Sequence, residues 1–165
     1  MQKLLPWILL AALLAGAAIA IGAADKQFSG LVLKVHDGDG TITVRQETRS
    51  EKVRLAGVDS PELGQPFGAE AKQFTTRKCL RKTVRVKWSK RDRYQRLLGE
   101  LWVPGQVRWI NVNRELVRNG LAWVYMSTDA KLLRLEQEAR RDKIGLWGAD
   151  TKPIPPSEWR KGKRE

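Results

Sequence analysis

The stretch LVLKVHDGDGTITVRQETRSEKVRLA, residues 31–56, decides the fold class of this chain. Its apolar and polar residues alternate with a period of two, the pattern of a half-buried β-strand, in three segments: 31–35, 41–44 and 52–56. Turn-forming residues separate these segments, with Asp and Gly in the first gap and a polar run in the second. The stretch therefore predicts a β-hairpin followed by a third strand, on which Arg54 points away from the apolar face.

The rest of the chain predicts two more strands and three helices. Strand-like alternation recurs at residues 84–88 and 97–103, and the second segment ends at the turn Pro104-Gly105. Helical spacing of apolar residues and capping residues predict helices near 67–80, 111–119 and 130–142. A chain of 165 residues, less the first two dozen, suffices for a single domain of this α+β composition with one core.

The first 24 residues are typical of an export signal. The single cation Lys3 precedes an apolar run over residues 4–21, and the small residues Gly22 and Ala24 stand where a signal peptidase requires them. We therefore expect cleavage after Ala24 and a secreted or periplasmic protein. The alternative is an uncut membrane anchor that leaves the domain outside the cytoplasm, because the apolar run approaches the roughly 20 residues that span a bilayer.

The remaining chain divides into a domain at residues 25–148 and a basic tail at residues 149–165. The tail is rich in proline and cations and has too few apolar residues to build structure of its own, so we expect a loosely held extension. The formal net charge of +13 makes a polyanion the natural partner. Cys79, the single cysteine, excludes an internal disulfide and is expected to be a buried helix residue. Nothing in the sequence indicates an oligomer, and we expect a monomer.

Two acidic turns follow strands of the predicted sheet. Each is ordinary by itself, because Asp, Gly and Pro populate turns for local backbone reasons. Asp37-Gly38-Asp39 and Asp59-Ser60-Pro61-Glu62 become informative together, because they gather carboxylates in a protein with a large excess of cations. Arg54 lies on the strand that leads into Asp59. The combination indicates a candidate functional site at these turns.

Six motifs in order along residues 28–147 resemble the staphylococcal nuclease (thermonuclease) family. They are DGD (37–39), VRLAGVDSPE (53–62), QPFGAEA (65–71), DRYQR (92–96), NRELVRNGLA (113–122) and GLW (145–147). The tail segment PIPPSEWR also resembles the tail of exported bacterial members. The resemblance implies an OB-type five-stranded β-barrel with three α-helices, a fold whose face commonly takes single-stranded nucleic acid. That architecture agrees with the elements predicted from the residue patterns.

The resemblance further implies a Ca²⁺-dependent endonuclease that hydrolyses DNA and RNA with little base specificity and with single-stranded substrate preferred. The residues that match the family's functional positions are Asp39, Asp59 and the Ser60 carbonyl for one Ca²⁺ ion, Glu62 as the proposed general base, Arg54 and Arg96 for the phosphate, and Tyr94 for the nucleotide pocket. Ca²⁺ takes about 6–8 oxygen ligands, which leaves room for water and a phosphate oxygen. Guanidiniums meet phosphate charge with paired hydrogen bonds.

Two other functions compete with this hypothesis. A catalytically inert nucleic-acid-binding domain of the same fold is the first alternative, but a pure binder has no use for carboxylates that face a polyanion. A membrane-anchored basic protein that binds lipid or cell-wall polymer is the second. It explains the apolar start and the cationic tail, but it leaves the acidic cluster unexplained.

The acidic turn departs from the family pattern in one residue. The family usually has Thr directly after the second Asp, whereas Gly40 intervenes here before Thr41. Gly40 either replaces that Thr or is an extra residue in a glycine bulge, and we prefer the bulge because it keeps Thr41 and Ile42 in the expected strand phase. His36, beside this turn, is expected to be a strand-end residue, because a hard-cation site has no need of imidazole.

Tryptophans and a basic run are further candidates for contact with nucleic acid. Trp102 and Trp147 lie on predicted core faces, which leaves Trp123 and Trp159 as candidates for stacking on bases. The basic run from Lys78 to Arg93 flanks the loop that holds Arg96, and we expect it to contact the phosphate backbone.

Overall fold

The computed structural model describes residues 26–36, 40–150 and 152–164 of the chain. The expected export signal at residues 1–24 and the predicted metal ligand Asp39 lie outside these ranges. Within the ranges, no helix combines the length and the apolar character that crossing a membrane requires.

The secondary structure follows the predicted order of strands and helices and adds several short elements. In chain order the elements are β1 (Lys26–Val35), β2 (Thr41–Gln46), β3 (Arg49–Leu55), β4 (Val58–Asp59), α1 (Gly68–Cys79), β5 (Thr83–Arg91), β6 (Leu97–Pro104), β7 (Trp109–Asn111), α2 (Val112–Arg118), β8 (Trp123–Val124), α3 (Ala130–Arg141), a 3-10 helix (Gly145–Gly148) and α4 (Pro156–Trp159). Strands β4, β7 and β8, the 3-10 helix and α4 were not predicted.

Five strands close into a barrel with the neighbour order β3-β2-β1-β5-β6. These neighbours pair antiparallel, and a parallel pairing of β3 with β6 closes the barrel. Strand β7 extends the sheet at the far edge of β6, while β4 and β8 form a separate two-stranded pair. The predicted OB-type α+β fold is confirmed.

The strand alternation fills the barrel with apolar side chains. Those that are almost fully buried on the barrel strands are Val32, Ile42, Val44, Val53, Leu55, Val84, Val86, Leu97 and Leu101. Trp102 lies between the buried residues Leu101 and Val103, and its own side chain is half-buried. Its predicted core position is wrong, because the period of two on β6 places it on the outer face.

Helix α2 is fastened to the barrel by one buried amide side chain. The Asn113 Nδ2 group donates to the Ala56 carbonyl at 2.8 Å, and its Oδ1 accepts from the Leu101 N–H at 3.1 Å. Buried backbone groups need such partners. Ala56 is the first residue after β3. Asn113 therefore also holds the start of the segment that carries the acidic residues.

Two tryptophan side chains and one cysteine complete the packing on the helical side. Trp123 is buried and meets Trp147 edge-on, with 5.5 Å between ring centroids, so the prediction that Trp123 stacks on bases is wrong. Cys79 is fully buried on α1, as predicted. Its burial raises the pKa of the thiol to about 12, although the charges of Lys82 and Lys78 oppose the shift.

Candidate active site

Asp59 is a carboxylate held almost completely inside the protein. It ends β4 and lies opposite Trp123 of β8, and only 1% of its surface is exposed. Ser60, the next residue, is buried as well. An ionised carboxylate at such a position is costly unless cations and hydrogen-bond donors surround it. The partners of Asp59 therefore define the site.

Arg54 is the first of these partners. Its Nη2 donates to Asp59 Oδ1 at 2.7 Å, and its place on β3 between two core residues fixes the direction of its side chain. Gly40 lies against the same guanidinium with a left-handed φ of 64°, and a Cβ added there would lie 3.1 Å from Arg54 Nη1. The close approach and the positive φ both favour glycine at this position.

The strand that follows Gly40 has the predicted phase. Thr41 begins β2 opposite Arg54, and Ile42 points into the core. The described part of the ladder between β1 and β2 is irregular between Val32 and Lys34. The predicted bulge at Gly40 borders residues 37–39, which lie outside the described residues.

Glu62 lies in a loop between β4 and α1 that closes on itself. Its N–H donates to Gln65 Oε1 at 3.1 Å, and the Gln65 N–H donates back to the Glu62 carbonyl at 2.9 Å. Gly68, the first residue of α1, lies so close that an added Cβ would overlap the Glu62 carbonyl. The backbone of Glu62 is therefore held by the buried Gln65 and by the start of the helix.

Arg96 is oriented by the tight turn that joins β5 to β6. Asp92 accepts hydrogen bonds from the backbone N–H of Tyr94 at 2.8 Å and of Arg96 at 3.0 Å, and its Oδ2 accepts from Arg96 Nε at 2.8 Å. Arg96 Nη1 also donates to Thr41 Oγ1 at 3.0 Å. Burial alone would raise the pKa of Asp92, but these hydrogen bonds outweigh it and hold the pKa below its ordinary value.

One cleft of about 840 Å³ brings these groups together. Its walls include the predicted residues Arg54, Glu62, Tyr94 and Arg96, and also Lys90, Arg91, Asp92, Arg93, Leu98, Tyr125, Met126 and Arg160. Tyr94 exposes 64% of its surface, and the Arg96 guanidinium lies 5.3 Å from the centre of its ring. Asp59 bonds to two of the lining arginines, while Ser60 is buried next to Asp59.

Arg160 is a charged lining residue that the sequence patterns did not single out. Its Nη1 donates to Glu62 Oε1 at 2.6 Å and its Nη2 to Asp59 Oδ2 at 3.0 Å. Burial alone would lower the pKa of Arg160, but the hydrogen bonds to Glu62 and Asp59 raise it above its ordinary value. The only signal for this residue was the resemblance of the segment PIPPSEWR to tails of exported family members.

The tail is therefore not the loosely held extension that its composition predicts. Residues 156–159 form the short helix α4, Pro156 is buried, and Gln65 Nε2 donates to the Ile154 carbonyl. The prediction failed because the order of this segment comes from contacts with the domain and not from its own apolar content.

The oxygen atoms of this acidic segment suit a hard cation, because carboxylate and carbonyl oxygens are the ligands of Ca²⁺. Asp59, Ser60 and Glu62 supply such oxygens among the described residues. Residues 26–36, 40–150 and 152–164 contain no group of three or more His, Cys, Asp or Glu side chains that would hold a metal ion, and the third predicted ligand, Asp39, lies outside them. His36 Nε2 lies 2.8 Å from Thr43 Oγ1 at the end of β1.

Comparisons with known proteins agree with this arrangement. The family model described as staphylococcal nuclease homologue matches residues 52–149. The chain is 38% identical over 146 residues to a micrococcal nuclease of Shigella flexneri, with 83% of each chain covered. It is 41% identical over 133 residues to an uncharacterized endonuclease of Escherichia coli O157:H7, with 79% of this chain and 84% of the relative covered. The family model includes Arg54, Asp59, Glu62 and Arg96, and it ends before Arg160.

Proposed function

Since this chain belongs to the staphylococcal nuclease family, we propose that it is a Ca²⁺-dependent endonuclease that hydrolyses DNA and RNA with little base specificity. The enzyme is a nuclease of the hydrolase class. The cleft supports the finer proposal most directly. Arg54, Arg96 and Glu62 line it together, next to the buried Asp59.

The two family arginines bind the phosphate of the scissile bond. Negative charge grows on the phosphate oxygens in the transition state, and donors that are already oriented stabilise that charge without reorganisation. Arg96 is oriented in this way by Asp92, and Arg54 by Asp59. Both guanidiniums therefore stay in place while the substrate enters the cleft.

Glu62 orients or deprotonates the attacking water. A carboxylate in this role must lie within hydrogen-bond reach of the water and must keep a fixed direction. The closed loop of Gln65 and Gly68 holds the Glu62 backbone, and its side chain faces the cleft. Asp59, Ser60 and Asp39 would hold the Ca²⁺ ion, which supplies Lewis-acid polarisation of the phosphate and of water when it is bound.

A longer single strand continues from the cleft along the outer face of β5. Lys90 and Arg91 line the cleft, and further back on the strand Lys87 lies 5.4 Å from the ring of Trp102 and Arg85 lies 4.4 Å from the ring of Trp109. Cations that alternate with aromatic rings are typical of surfaces that bind single-stranded nucleic acid. The basic run of β5 thus extends the proposed substrate site beyond the reacting phosphate.

The proposal is tested by incubating the purified protein with single-stranded DNA and with RNA, in Ca²⁺ and in chelator. We expect cleavage only with Ca²⁺, and losses of about 100-fold or more in Glu62→Gln and Arg96→Ala. Arg134→Ala is the matched control, because Arg134 pairs with Glu138 on the exposed face of α3 and lies outside the cleft. Binding without Ca²⁺-dependent cleavage would instead support the inert binding domain, and full activity in both variants would reject the assigned roles.

We also propose that the protein acts outside the cytoplasm after removal of its first 24 residues. The support is the apolar run with small residues at Gly22 and Ala24. Cell fractionation and N-terminal sequencing of the native protein test it. A mature N-terminus at Asp25 is expected, while an intact Met1 in the membrane fraction would establish the anchored alternative.

A further inference from the structure

Arg160 joins the two carboxylates of the site through a single guanidinium. Its two terminal nitrogens bond to Glu62 Oε1 at 2.6 Å and to Asp59 Oδ2 at 3.0 Å, although Arg160 follows Glu62 by 98 residues. Asp59 also accepts from Arg54, so two arginines of the cleft meet at one buried acid. The contact is therefore made at the centre of the site and not at its rim.

The segment around Arg160 docks on the same loop that holds Glu62. Gln65 donates through Nε2 to the Ile154 carbonyl of the tail and accepts through Oε1 from the Glu62 N–H. One buried amide side chain thus connects the tail to the backbone of Glu62. Arg160 follows helix α4 directly, and the Arg160 backbone N–H donates to the Pro156 carbonyl at 2.9 Å. The helix thus places Arg160 at the cleft.

We propose that Arg160 is a positioning residue of the active site, which holds the Glu62 carboxylate in a fixed orientation relative to Asp59. This role rests on the proposed nuclease function. The Glu62 side chain is partly exposed, and without Arg160 it would sample several rotamers. Fixing it in the productive rotamer would then cost conformational entropy. The Glu62 carboxylate would also be repelled by the charge of the buried Asp59.

The geometry requires a guanidinium and not simply a positive charge. A planar fork bonds two carboxylates at once with defined directions, whereas an ammonium group is a point charge on a flexible stem. The side chain of Arg160 is 44% exposed, whereas that of Asp59 is 1% exposed. The Arg160 guanidinium is therefore anchored at Asp59, while the exposed part of the Arg160 side chain faces the cleft. Glu62 is thereby aimed into the space where the substrate lies.

The test compares the full-length Arg160→Ala, Arg160→Lys and Arg164→Ala variants with the wild-type enzyme on single-stranded DNA. Arg164 is the matched control, because it belongs to the same segment but stacks on Trp159 at 4.0 Å and bonds to the Trp159 and Lys163 carbonyls. We expect Arg160→Ala to lower kcat about 10- to 100-fold with KM changed less than about threefold, because the reacting group is misaligned and substrate binding is retained.

Two further results are expected of a positioning role. The variant Arg160→Lys does not recover the wild-type kcat, and millimolar guanidinium ion restores part of the activity of Arg160→Ala but not that of Glu62→Gln. In chelator, amide hydrogen exchange of residues 60–68 is faster in Arg160→Ala than in Arg164→Ala, which reports on the loop without any catalytic measurement.

Several outcomes would overturn the role of Arg160. Wild-type kinetics in Arg160→Ala would show that Arg160 does not position Glu62. Faster cleavage in that variant would mean that Arg160 withholds the carboxylates from the metal. An equal loss in Arg164→Ala would assign the effect to docking of the tail. If the wild-type enzyme cleaves DNA while Arg160→Ala matches it, only this inference fails. If the wild-type enzyme does not cleave at all, the proposed function fails and this role fails with it.

Discussion

At the scale of single residues, two glycines determine where the charged groups of the cleft lie. Gly40 leaves room for the Arg54 guanidinium, and Gly68 leaves room for the Glu62 carbonyl. Each glycine packs against a residue of the cleft, so a side chain added at the glycine would displace that residue. The absence of a side chain is thus part of the site.

Gly68→Ala is expected to displace the Glu62 loop. The added methyl group would overlap the Glu62 carbonyl, and an overpacked position of this kind costs about 1–3 kcal/mol of folding free energy. Urea unfolding measures the stability, and the cleavage rate, which we expect to fall at least tenfold in folded protein because of misalignment, measures the effect on the site. Gly64→Ala in the same loop is the control, since a Cβ there meets nothing within 4 Å. Equal behaviour of the two variants would contradict the packing described for Gly68.

Several residues of the candidate site could be predicted from the sequence because their motifs lie on regular strands or directly beside them. Arg54 is on a strand whose alternation fixes its face, and Arg96 is in a short turn between two predicted strands. Arg160 could not be placed, because its contacts with Glu62 and Asp59 are made across the whole chain and leave no local periodicity. Residue patterns report local structure, and this contact is tertiary.

At the scale of elements, the turn between β5 and β6 is the device that orients Arg96. Asp92 closes it with its carboxylate, and Gln95 takes a left-handed φ of 62° inside it. Regular strands on either side were predictable from their alternation. Strands β4 and β8 were not, because two residues cannot show a period, and α4 was missed because the domain orders it.

Asp92→Asn is expected to reduce stability in a pH-dependent way. The folded state lowers the pKa of Asp92, so its ionised form stabilises the fold fully above the ordinary carboxyl pKa of about 4, and this contribution disappears as pH falls through the lower folded value. Urea unfolding of the wild type and the variant from pH 7 to acid pH measures the difference. It should be largest at neutral pH and shrink in acid. A difference independent of pH would show that the charge of Asp92 does not contribute.

At the scale of the whole molecule, part of the excess of cations lies in a row along one strand of the barrel. The net charge is +13, and the cations of β5 form a row that starts at the cleft and alternates with indole rings. A polyanionic partner could be predicted from composition alone. The path proposed for the nucleic acid strand could not, because Trp102 and Trp109 join β5 only through the pairing of β5, β6 and β7.

Arg85→Ala is expected to weaken binding of long single-stranded oligonucleotides more than binding of short ones. Binding is measured in chelator at several salt concentrations, so that no cleavage occurs. Loss of one phosphate contact should reduce the slope of log affinity against log salt by about one. The control Arg134→Ala keeps the wild-type slope. A slope unchanged in Arg85→Ala, or an equal loss for short and long strands, would exclude the face of β5 from the substrate path.

The most direct test of a shared reaction centre is a double-mutant cycle between Glu62 and Arg96. Single-turnover cleavage of single-stranded DNA in Ca²⁺ is measured for Glu62→Gln, Arg96→Ala and the double variant. If both side chains act on one phosphodiester in the cleft, the loss in the double variant is far smaller than the product of the two single losses, because residues that act as a unit are strongly non-additive. Single losses that simply multiply would contradict a common site for these two residues.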